Sequence, residues 1–319
     1  MTGNSFEKYL AGKEMSGSTI KHYHMYALDF IAWLDSENTD ADNATAGDIT
    51  AYLNKLKQKG QANITRRNNL IAIRHFLAWR VQQGAREDNP AQHIKIRGIK
   101  HKILYPSMSI QELESIYHQY VIPDETNADA WLLAHPEICK ISKLSRERNK
   151  VMLGLLVWQG LTTAEISRLA VPDLQLKEGN IYIAGTKTSN ERTIELKPQQ
   201  IIGLMEYLTG TRKELLQYCK GKESEKLFIP SPAAGKKAVT DNNATHVWKH
   251  LTKDIKQQHP RFINFLQVRS NVIVHWLKRY NLRQVQYMAG HRYVSSTEAY
   301  QIGNMEALQE DIGKYHPIN

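Results

Sequence analysis

Apolar side chains in the first hundred residues recur at the spacing of one helix face. Ser16 opens a predicted helix that runs to about Leu34, because apolar residues follow it at intervals of three or four. Thr45 begins a second helix, with Asp48 completing a capping box, and Gly60 ends it. A third helix is predicted over about 64–83. Residues 1–104 are therefore predicted to form a helical bundle.

The rest of the chain keeps the helical pattern and adds one β signal. Residues 95–106 are basic and contain a glycine and a proline, which is typical of a linker, so we place a domain boundary near residue 104. Residues 181–184 and 192–196 are β-rich and flank a polar turn, which predicts a hairpin. Helices are expected over about 107–118, 242–280 and 282–289, and again after Tyr300. The predicted fold is mainly α, with a mostly helical second domain, 105–319, that holds a small β-hairpin.

The composition of the 319 residues is that of a globular protein. The chain is 41% hydrophobic and 23% charged, which excludes the disordered and fibrous classes. Mean hydropathy is −0.51, and no apolar run approaches the roughly 18 residues of a spanning helix, so no membrane association is expected. Cys139 and Cys219 make neither a disulfide framework nor a metal cluster, which indicates a reducing, cytoplasmic location.

The formal charge of +10 is concentrated in one stretch of the chain. Residues 55–102 hold 12 Lys and Arg against Glu87 and Asp88, whereas residues 1–54 hold 3 basic and 8 acidic side chains. This concentration is typical of a polyanion-binding protein. A solvated basic surface is the alternative, and an anionic lipid fits less well because the apolar residues here are those of a core-facing helix. The side chains expected to bind DNA are Lys55, Lys57, Lys59, Arg66, Arg67, Arg74, Arg80, Lys95, Arg97, Lys100 and Lys102.

The usual ligands of metal and nucleotide sites are missing from the spacings where they would be needed. His246 and His250 share a predicted helix face, but no third ligand follows at metal spacing, so an ordinary pair is the simpler interpretation. The segment around Lys236 lacks the upstream glycine and the hydroxyl residue of a phosphate loop. We therefore predict no metal and no cofactor.

An ordered set of motifs lies in the second domain. Met288-Ala289-Gly290-His291 is followed by Tyr300 nine residues after the histidine, and Arg269 precedes them. Upstream lie Gly160-Leu161 with Glu165, and then the hairpin segment that contains Lys187 and Arg192. This order and spacing resemble the tyrosine recombinase, or phage-type integrase, family. The N-terminal bundle resembles the SAM-like core-binding domain of that family, so the resemblance covers nearly the whole chain.

The resemblance implies a site-specific DNA recombinase or integrase that needs neither metal nor ATP. Tyr300 would attack a phosphodiester and form a 3′-phosphotyrosyl link, while the guanidinium of Arg269 would hold two non-bridging oxygens. Lys187 would protonate the leaving 5′ oxygen as general acid, and His291 would bind the phosphate or assist proton transfer. The implied partners are double-stranded DNA, three further copies of the chain on paired sites, and an accessory DNA-bending protein as a candidate. A predicted helix over Met305–Lys314 docks either on its own domain or on a neighbouring protomer.

Two positions depart from the family pattern. The family carries an arginine directly after Gly160-Leu161, where this chain has Thr162, and a histidine three residues before Arg269, where it has Leu266. Thr162 and Glu165 predict a capping box; as a substitute for the arginine, the Thr162 hydroxyl can donate one hydrogen bond to the phosphate but supplies no charge. Loss of one preorganised donor typically costs on the order of 10² to 10³ in rate. We therefore expect a neighbouring cation to compensate; Arg168 is nearest in sequence, and Arg146 and Arg148 are further candidates.

These departures keep a second hypothesis open. A DNA-binding protein that retains the recombinase clamp but has lost catalysis would also show them. A relaxing topoisomerase without a preferred sequence is a third candidate. Covalent capture on nicked DNA separates the three, because a binder forms no adduct and a relaxing enzyme forms one at any sequence.

Overall fold

The computed structural model describes residues 3–98, 105–123, 130–219, 223–232 and 244–301. The chain divides into two compact units, Met1–Ile103 and Leu104–Asn319. Lys100, Lys102 and the predicted helix over Met305–Lys314 lie outside the described residues. Within the described ranges, no helix combines the length and the apolar character that crossing a membrane requires.

Over residues 3–98 the first unit contains four helices, α1 (Gly3–Gly12), α2 (Gly17–Ser36), α3 (Ala46–Gln58) and α4 (Asn63–Gln82). Ser16 caps α2 by accepting a hydrogen bond from the backbone N–H of Thr19, and Thr45 and Asp48 form the predicted capping box of α3. These side chains satisfy N–H groups that the first helical turn leaves without partners. The core of the unit is rich in aromatic rings, namely Phe6, Phe30, Trp33, Tyr52, Phe76 and Trp79.

The second unit combines helices with one small sheet. Its helices are α5 (Ile110–His118), α6 (Ala130–Leu133), α7 (Pro136–Val157), α8 (Thr163–Arg168), α9 (Pro198–Glu206), α10 (Arg212–Leu216), α11 (Ala244–Gln258), α12 (Phe265–Leu277) and α13 (Leu282–Ala289). A π-helical turn, Tyr207–Thr211, joins α9 to α10. Residues 294–301 are again helical. The mainly α fold class is confirmed.

In the described part of the second unit, the sheet has three antiparallel strands in the order β1 (Leu174–Gln175), β2 (Asn180–Ile183) and β3 (Arg192–Glu195). Ile181 is paired with Ile194 and Ile183 with Arg192, so the predicted hairpin is confirmed and its register is defined. Because side chains alternate between the faces of a strand, Arg192 lies on the same buried face as Ile194.

The structure contains elements that the sequence predictions do not name individually, among them helices α1, α6, α7, α9 and α10 and strand β1. Two predictions are corrected. The single helix expected over about 242–280 is wrong, because α11 ends at Gln258 and α12 begins at Phe265. Pro260 has no N–H and restricts the residue before it, and the Asn264 side chain caps α12, so the chain turns between the two helices. Tyr300 lies inside the helical segment 294–301 rather than before a helix.

Candidate active site

The start of helix α8 places a carboxylate at the centre of the predicted site. Thr162 donates its backbone N–H and its hydroxyl to Oε2 of Glu165, at 2.8 and 2.9 Å, and accepts the backbone N–H of Glu165 in return. This is the predicted capping box. Glu165 is nevertheless buried, with 5% of its surface exposed. A buried carboxylate requires positive partners, and two arginines supply them.

Arg269 is the first of these arginines and projects from helix α12. Its Nη1 donates to the carbonyl oxygen of Gly160 and its Nη2 to that of Ala289, each at 2.6 Å. Nη1 also lies 3.6 Å from Oε2 of Glu165. Burial lowers the pKa of Arg269, and the negative charge of Glu165 works in the opposite direction. These contacts hold the guanidinium between the segments that carry Gly160 and Ala289.

Arg192 is the second arginine and reaches the carboxylate from strand β3. Its Nη1 donates to Oε1 of Glu165 at 2.7 Å, and only 2% of its surface is exposed. Burial by itself would raise the pKa of the Glu165 carboxyl. The hydrogen bond and charge of Arg192, the N–H of Thr162 and the charge of Arg269 outweigh burial and lower that pKa. Glu165 is therefore an ionised residue shared by two guanidinium groups.

His291 follows directly on the glycine that ends helix α13. Its Nδ1 lies 2.9 Å from Oγ1 of the fully buried Thr297, which orients the ring. Burial lowers the pKa of His291 to about 4, and the positive charges of Arg269 and Arg192 act in the same direction. The imidazole is consequently neutral at neutral pH.

Tyr300 lies beside His291, on the same side of the unit. The two rings are nearly parallel, at 10° between planes, with centroids 5.8 Å apart. The Tyr300 ring also packs against a small cluster formed by Ile273, Val285 and Ala289. Burial raises the pKa of the Tyr300 phenol, whereas the charge of Arg269 lowers it. The phenol is thus protonated in the DNA-free protein, next to a guanidinium that favours its ionised form.

Lys187 lies in the loop between β2 and β3, and this loop is docked on the segment around His291. Ser189 forms a β-bridge with His291, and the N–H of Asn190 donates to the carbonyl oxygen of Gly290 at 3.0 Å. Nη1 of Arg292 donates to the carbonyl oxygen of Lys187 at 2.8 Å. The backbone that carries Lys187 is thereby joined to the backbone that carries His291.

The structure divides the predicted DNA-binding residues of the first unit into two groups. Arg66 donates to the carbonyl oxygen of Leu53 and to Asn63, Arg74 donates to two backbone carbonyls, and Arg80 is paired with Asp42. These three guanidinium groups stabilise the bundle itself. The side chains that are exposed instead are Lys57, Lys59, Arg67, Lys95 and Arg97, while Lys55 is partly buried against the Trp33 ring.

Within the described part of the chain, the side chains of Leu266 and of the arginines expected to compensate for Thr162 form no hydrogen bond or ion pair with Glu165. Leu266 is 56% exposed on the first turn of α12. Arg168 is exposed at the end of α8, Arg146 is paired with Asp254, and the buried Arg148 bonds Asn149 and the Ile229 carbonyl. Besides Arg269, the cation that contacts Glu165 is Arg192. Among the described residues, no group of three or more His, Cys, Asp or Glu side chains could hold a metal ion.

Arg192 is a residue of the candidate site for which the sequence pattern predicted no role. One signal could have found it, since Arg192, Ile194 and Leu196 alternate along a predicted strand and two of them are apolar. A charged residue on the inward face of such a strand indicates a buried ion pair.

Both units of the chain match sequence profiles of known proteins. Residues 132–306 match the sequence profile described as "Phage integrase family", and residues 4–84 match "Phage integrase, N-terminal SAM-like domain". The first match alone covers more than half of the chain. This protein belongs to the phage integrase family.

Relatives of this family member align over almost its whole length. It is similar to the tyrosine recombinase XerD of Oceanobacillus iheyensis, with 26% identity over 95% of this chain and 93% of the relative. Similarity to XerD of Halalkalibacterium halodurans is 24% identity over 98% and 95% of the two chains. The predictions of the tyrosine recombinase family and of an enzyme of that class are confirmed, and these matches do not favour the catalytically inactive alternative.

Solved structures of this family share the fold. A lambda integrase fragment, described as a dimer bound to a COC′ core site, superposes with a TM-score of 0.59 at 16% identity, covering 93% of each chain. The Tn1549 transposon integrase, in complex with a circular intermediate DNA, superposes with a TM-score of 0.60 at 14% identity, over 93% of this chain and 94% of that one.

Proposed function

We propose that this protein cuts and rejoins DNA at a specific site through a covalent link to Tyr300. The observation that carries the proposal is the parallel pair of Tyr300 and His291, with Arg269 close enough for its charge to alter the pKa of both rings. The phenol, the imidazole and the guanidinium come from three separate segments. Together they offer a nucleophile, a proton acceptor and a positive charge for a phosphodiester.

The reaction is a transesterification at phosphorus. The phenolic oxygen of Tyr300 forms a bond to the scissile phosphorus, and the bond from phosphorus to the 5′ oxygen breaks. The proton of the phenol passes to His291, and the leaving oxygen takes a proton from Lys187. The phosphotyrosyl ester conserves the bond energy, so a 5′ hydroxyl from a partner strand can reverse the step and join the strands without ATP.

The charge of the substrate makes His291 a better proton acceptor. In the DNA-free protein, burial and the charges of Arg269 and Arg192 hold the pKa of His291 at about 4. A phosphodiester bound at Arg269 brings a negative charge that offsets those guanidinium groups, which raises the pKa of His291. His291 therefore becomes a stronger base only when the phosphate is bound.

Phosphate binding by the first unit would supply much of the DNA affinity. The exposed residues Lys57, Lys59, Arg67, Lys95 and Arg97 carry this role, because their charges are not used inside the bundle. Contacts to phosphate release counterions, so the affinity falls steeply with salt. DNA as the partner agrees with the structural neighbours whose descriptions name bound DNA.

A tetramer on paired sites is the assembly that we propose. One neighbour is described as a lambda integrase tetramer bound to a Holliday junction, and it superposes with a TM-score of 0.58 at 16% identity over 93% of this chain and 75% of that one. An accessory DNA-bending protein remains a candidate partner, and the cytoplasm is the proposed location.

Covalent capture tests the proposed function. Wild-type protein is incubated with a pool of nicked duplexes that have a randomised central sequence, and adducts that resist denaturation are sequenced. We expect adducts enriched in one sequence, none with Tyr300→Phe, and wild-type yield with Tyr293→Phe, whose ring is 67% exposed in the same segment. Absence of any wild-type adduct would support the DNA-binding alternative, and adducts without sequence preference would support a relaxing topoisomerase.

A further inference from the structure

The guanidinium of Arg192 is enclosed on several sides by the candidate active site. Oε1 of Glu165 accepts a hydrogen bond from Nη1 of Arg192. Gly290 lies against the same guanidinium, since a Cβ added to this glycine would be 2.8 Å from Cζ of Arg192 and closer still to Nη1. Gly290 is also the residue between Ala289, which binds Arg269, and His291. Arg192 therefore touches the turn from which the imidazole projects.

Arg192 also decides how much positive charge the site retains. Glu165 is shared by Arg192 at 2.7 Å and Arg269 at 3.6 Å, so one carboxylate faces two guanidinium groups. With both arginines present, the cluster carries a net positive charge. Without Arg192, the carboxylate would be left to Arg269 alone, and the two charges would cancel. Arg192 thus keeps the charge of Arg269 available for an anion.

Part of the Arg192 guanidinium makes no hydrogen bond within the described part of the chain. Its Nε and Nη2 are buried, and neither has a hydrogen-bond partner among the described residues. Leaving buried donors unpaired is costly for folding, so an ion pair made only for stability would be expected to satisfy them. The ion pair is therefore not arranged for stability alone, and the net positive charge of the cluster favours an anion at Arg269.

We propose that Arg192 is a positioning residue of this active site, which neutralises Glu165 so that Arg269 can receive the scissile phosphate. The inference rests on the proposed function. It assigns to strand β3 the compensating cation for which the sequence offered Arg168, Arg146 and Arg148 as candidates. Arg192 is closed to solvent, so its effect is transmitted through Glu165 and through the electric field at His291 rather than by an exposed contact with DNA.

The test compares Arg192→Gln and Arg192→Lys with wild type. Single-turnover adduct formation is measured on a nicked duplex selected from the randomised pool, and DNA affinity is measured on the same duplex without a nick. Arg148→Gln is the matched control, because Arg148 is an equally buried arginine of the same unit that bonds Asn149 and a carbonyl and, within the described ranges, no carboxylate. A fourth variant, Thr162→Arg combined with Arg192→Gln, returns a guanidinium to the neighbourhood of Glu165.

We expect Arg192→Gln to slow adduct formation on the order of 10²-fold or more while DNA affinity stays near wild type. Arg192→Lys and the double variant should recover part of the rate, and Arg148→Gln should cleave at a rate close to wild type. Wild-type cleavage by Arg192→Gln, or a loss no greater than that of Arg148→Gln, would overturn the inference.

A second measurement needs no cleavage and keeps the inference separate from the proposed function. The titration of the His291 ring is followed by NMR in the DNA-free proteins, with His291→Gln used for assignment. Removing the positive charge at position 192 should raise the pKa of His291 in Arg192→Gln but not in Arg192→Lys or Arg148→Gln. An unchanged titration in Arg192→Gln would contradict the electrostatic role, whether or not the wild type cleaves DNA.

Discussion

The imidazole of His291 lies parallel to the phenol of Tyr300, with ring centroids 5.8 Å apart. The two rings share one environment, yet burial moves their pKa values in opposite directions. Burial lowers the pKa of His291 to about 4 and raises that of Tyr300, because in each case it disfavours the charged form. At neutral pH the site thus holds two neutral rings close to the buried guanidinium of Arg269.

His291 should make stability depend on pH in a defined window. Its folded pKa of about 4 lies below the usual value of about 6.5, so between these pH values the unfolded chain binds more protons at this position. The free energy of unfolding of wild type should therefore fall, relative to that of His291→Gln, as the pH is lowered from 7 to 4.5. Urea denaturation at several pH values measures the difference, and parallel curves for the two proteins would contradict the prediction.

Lys187 should matter only for a leaving group that needs a proton. Lys187→Met is expected to slow cleavage of an ordinary nicked duplex by about 10² to 10⁴. A duplex whose bridging 5′ oxygen is replaced by sulfur should be cleaved by this variant at nearly the wild-type rate, since a thiolate leaves without protonation. Lys177→Met, an exposed lysine beyond strand β1, is the matched control and should cleave both duplexes normally. Equal losses on the two duplexes would exclude the general-acid role.

Gly290 should be intolerant of a methyl group for two separable reasons. Its φ of +67° is strained for any side chain, and an added Cβ would collide with the guanidinium of Arg192. Gly179 has a φ of +71°, but a Cβ there would meet only Ile201 at an ordinary 3.5 Å. Gly179→Ala should cost about 1–2 kcal/mol of unfolding free energy. Gly290→Ala should cost more and also reduce adduct formation, which denaturation and covalent capture can measure; equal effects would contradict the steric argument.

The basic residues of the first unit should separate into DNA contacts and structural arginines. Lys57→Gln or Lys95→Gln should weaken DNA binding and reduce the slope of log affinity against log salt by about 0.9 each. Arg66→Gln should instead lower the free energy of unfolding by about 1–3 kcal/mol, because it breaks buried hydrogen bonds to Leu53 and Asn63. Binding isotherms at several salt concentrations, paired with denaturation curves, distinguish the two outcomes. An unchanged salt slope in both lysine variants would contradict the assignment.

Local features of this protein could be predicted from the sequence because the residues that form each of them lie close together in the chain. The capping boxes of Thr45 with Asp48 and of Thr162 with Glu165 each join residues three apart, and both are present. The hairpin follows from the alternation of β-rich runs around a polar turn. The order of motifs from Gly160 to Tyr300 was sufficient to indicate the family.

Tertiary structure alone decided the roles of the buried charges. Arg66 and Arg80 are basic residues on a helix, and the sequence does not tell that they bind the Leu53 carbonyl and Asp42 inside the bundle. Arg192 and Glu165 are 27 residues apart, and their ion pair forms only in the folded chain, where the side chain of Arg192 on β3 reaches Glu165 on α8. The physical reason is that capping and strand alternation depend on neighbours within a few residues, whereas the partner of a charge depends on which distant surfaces exclude water together.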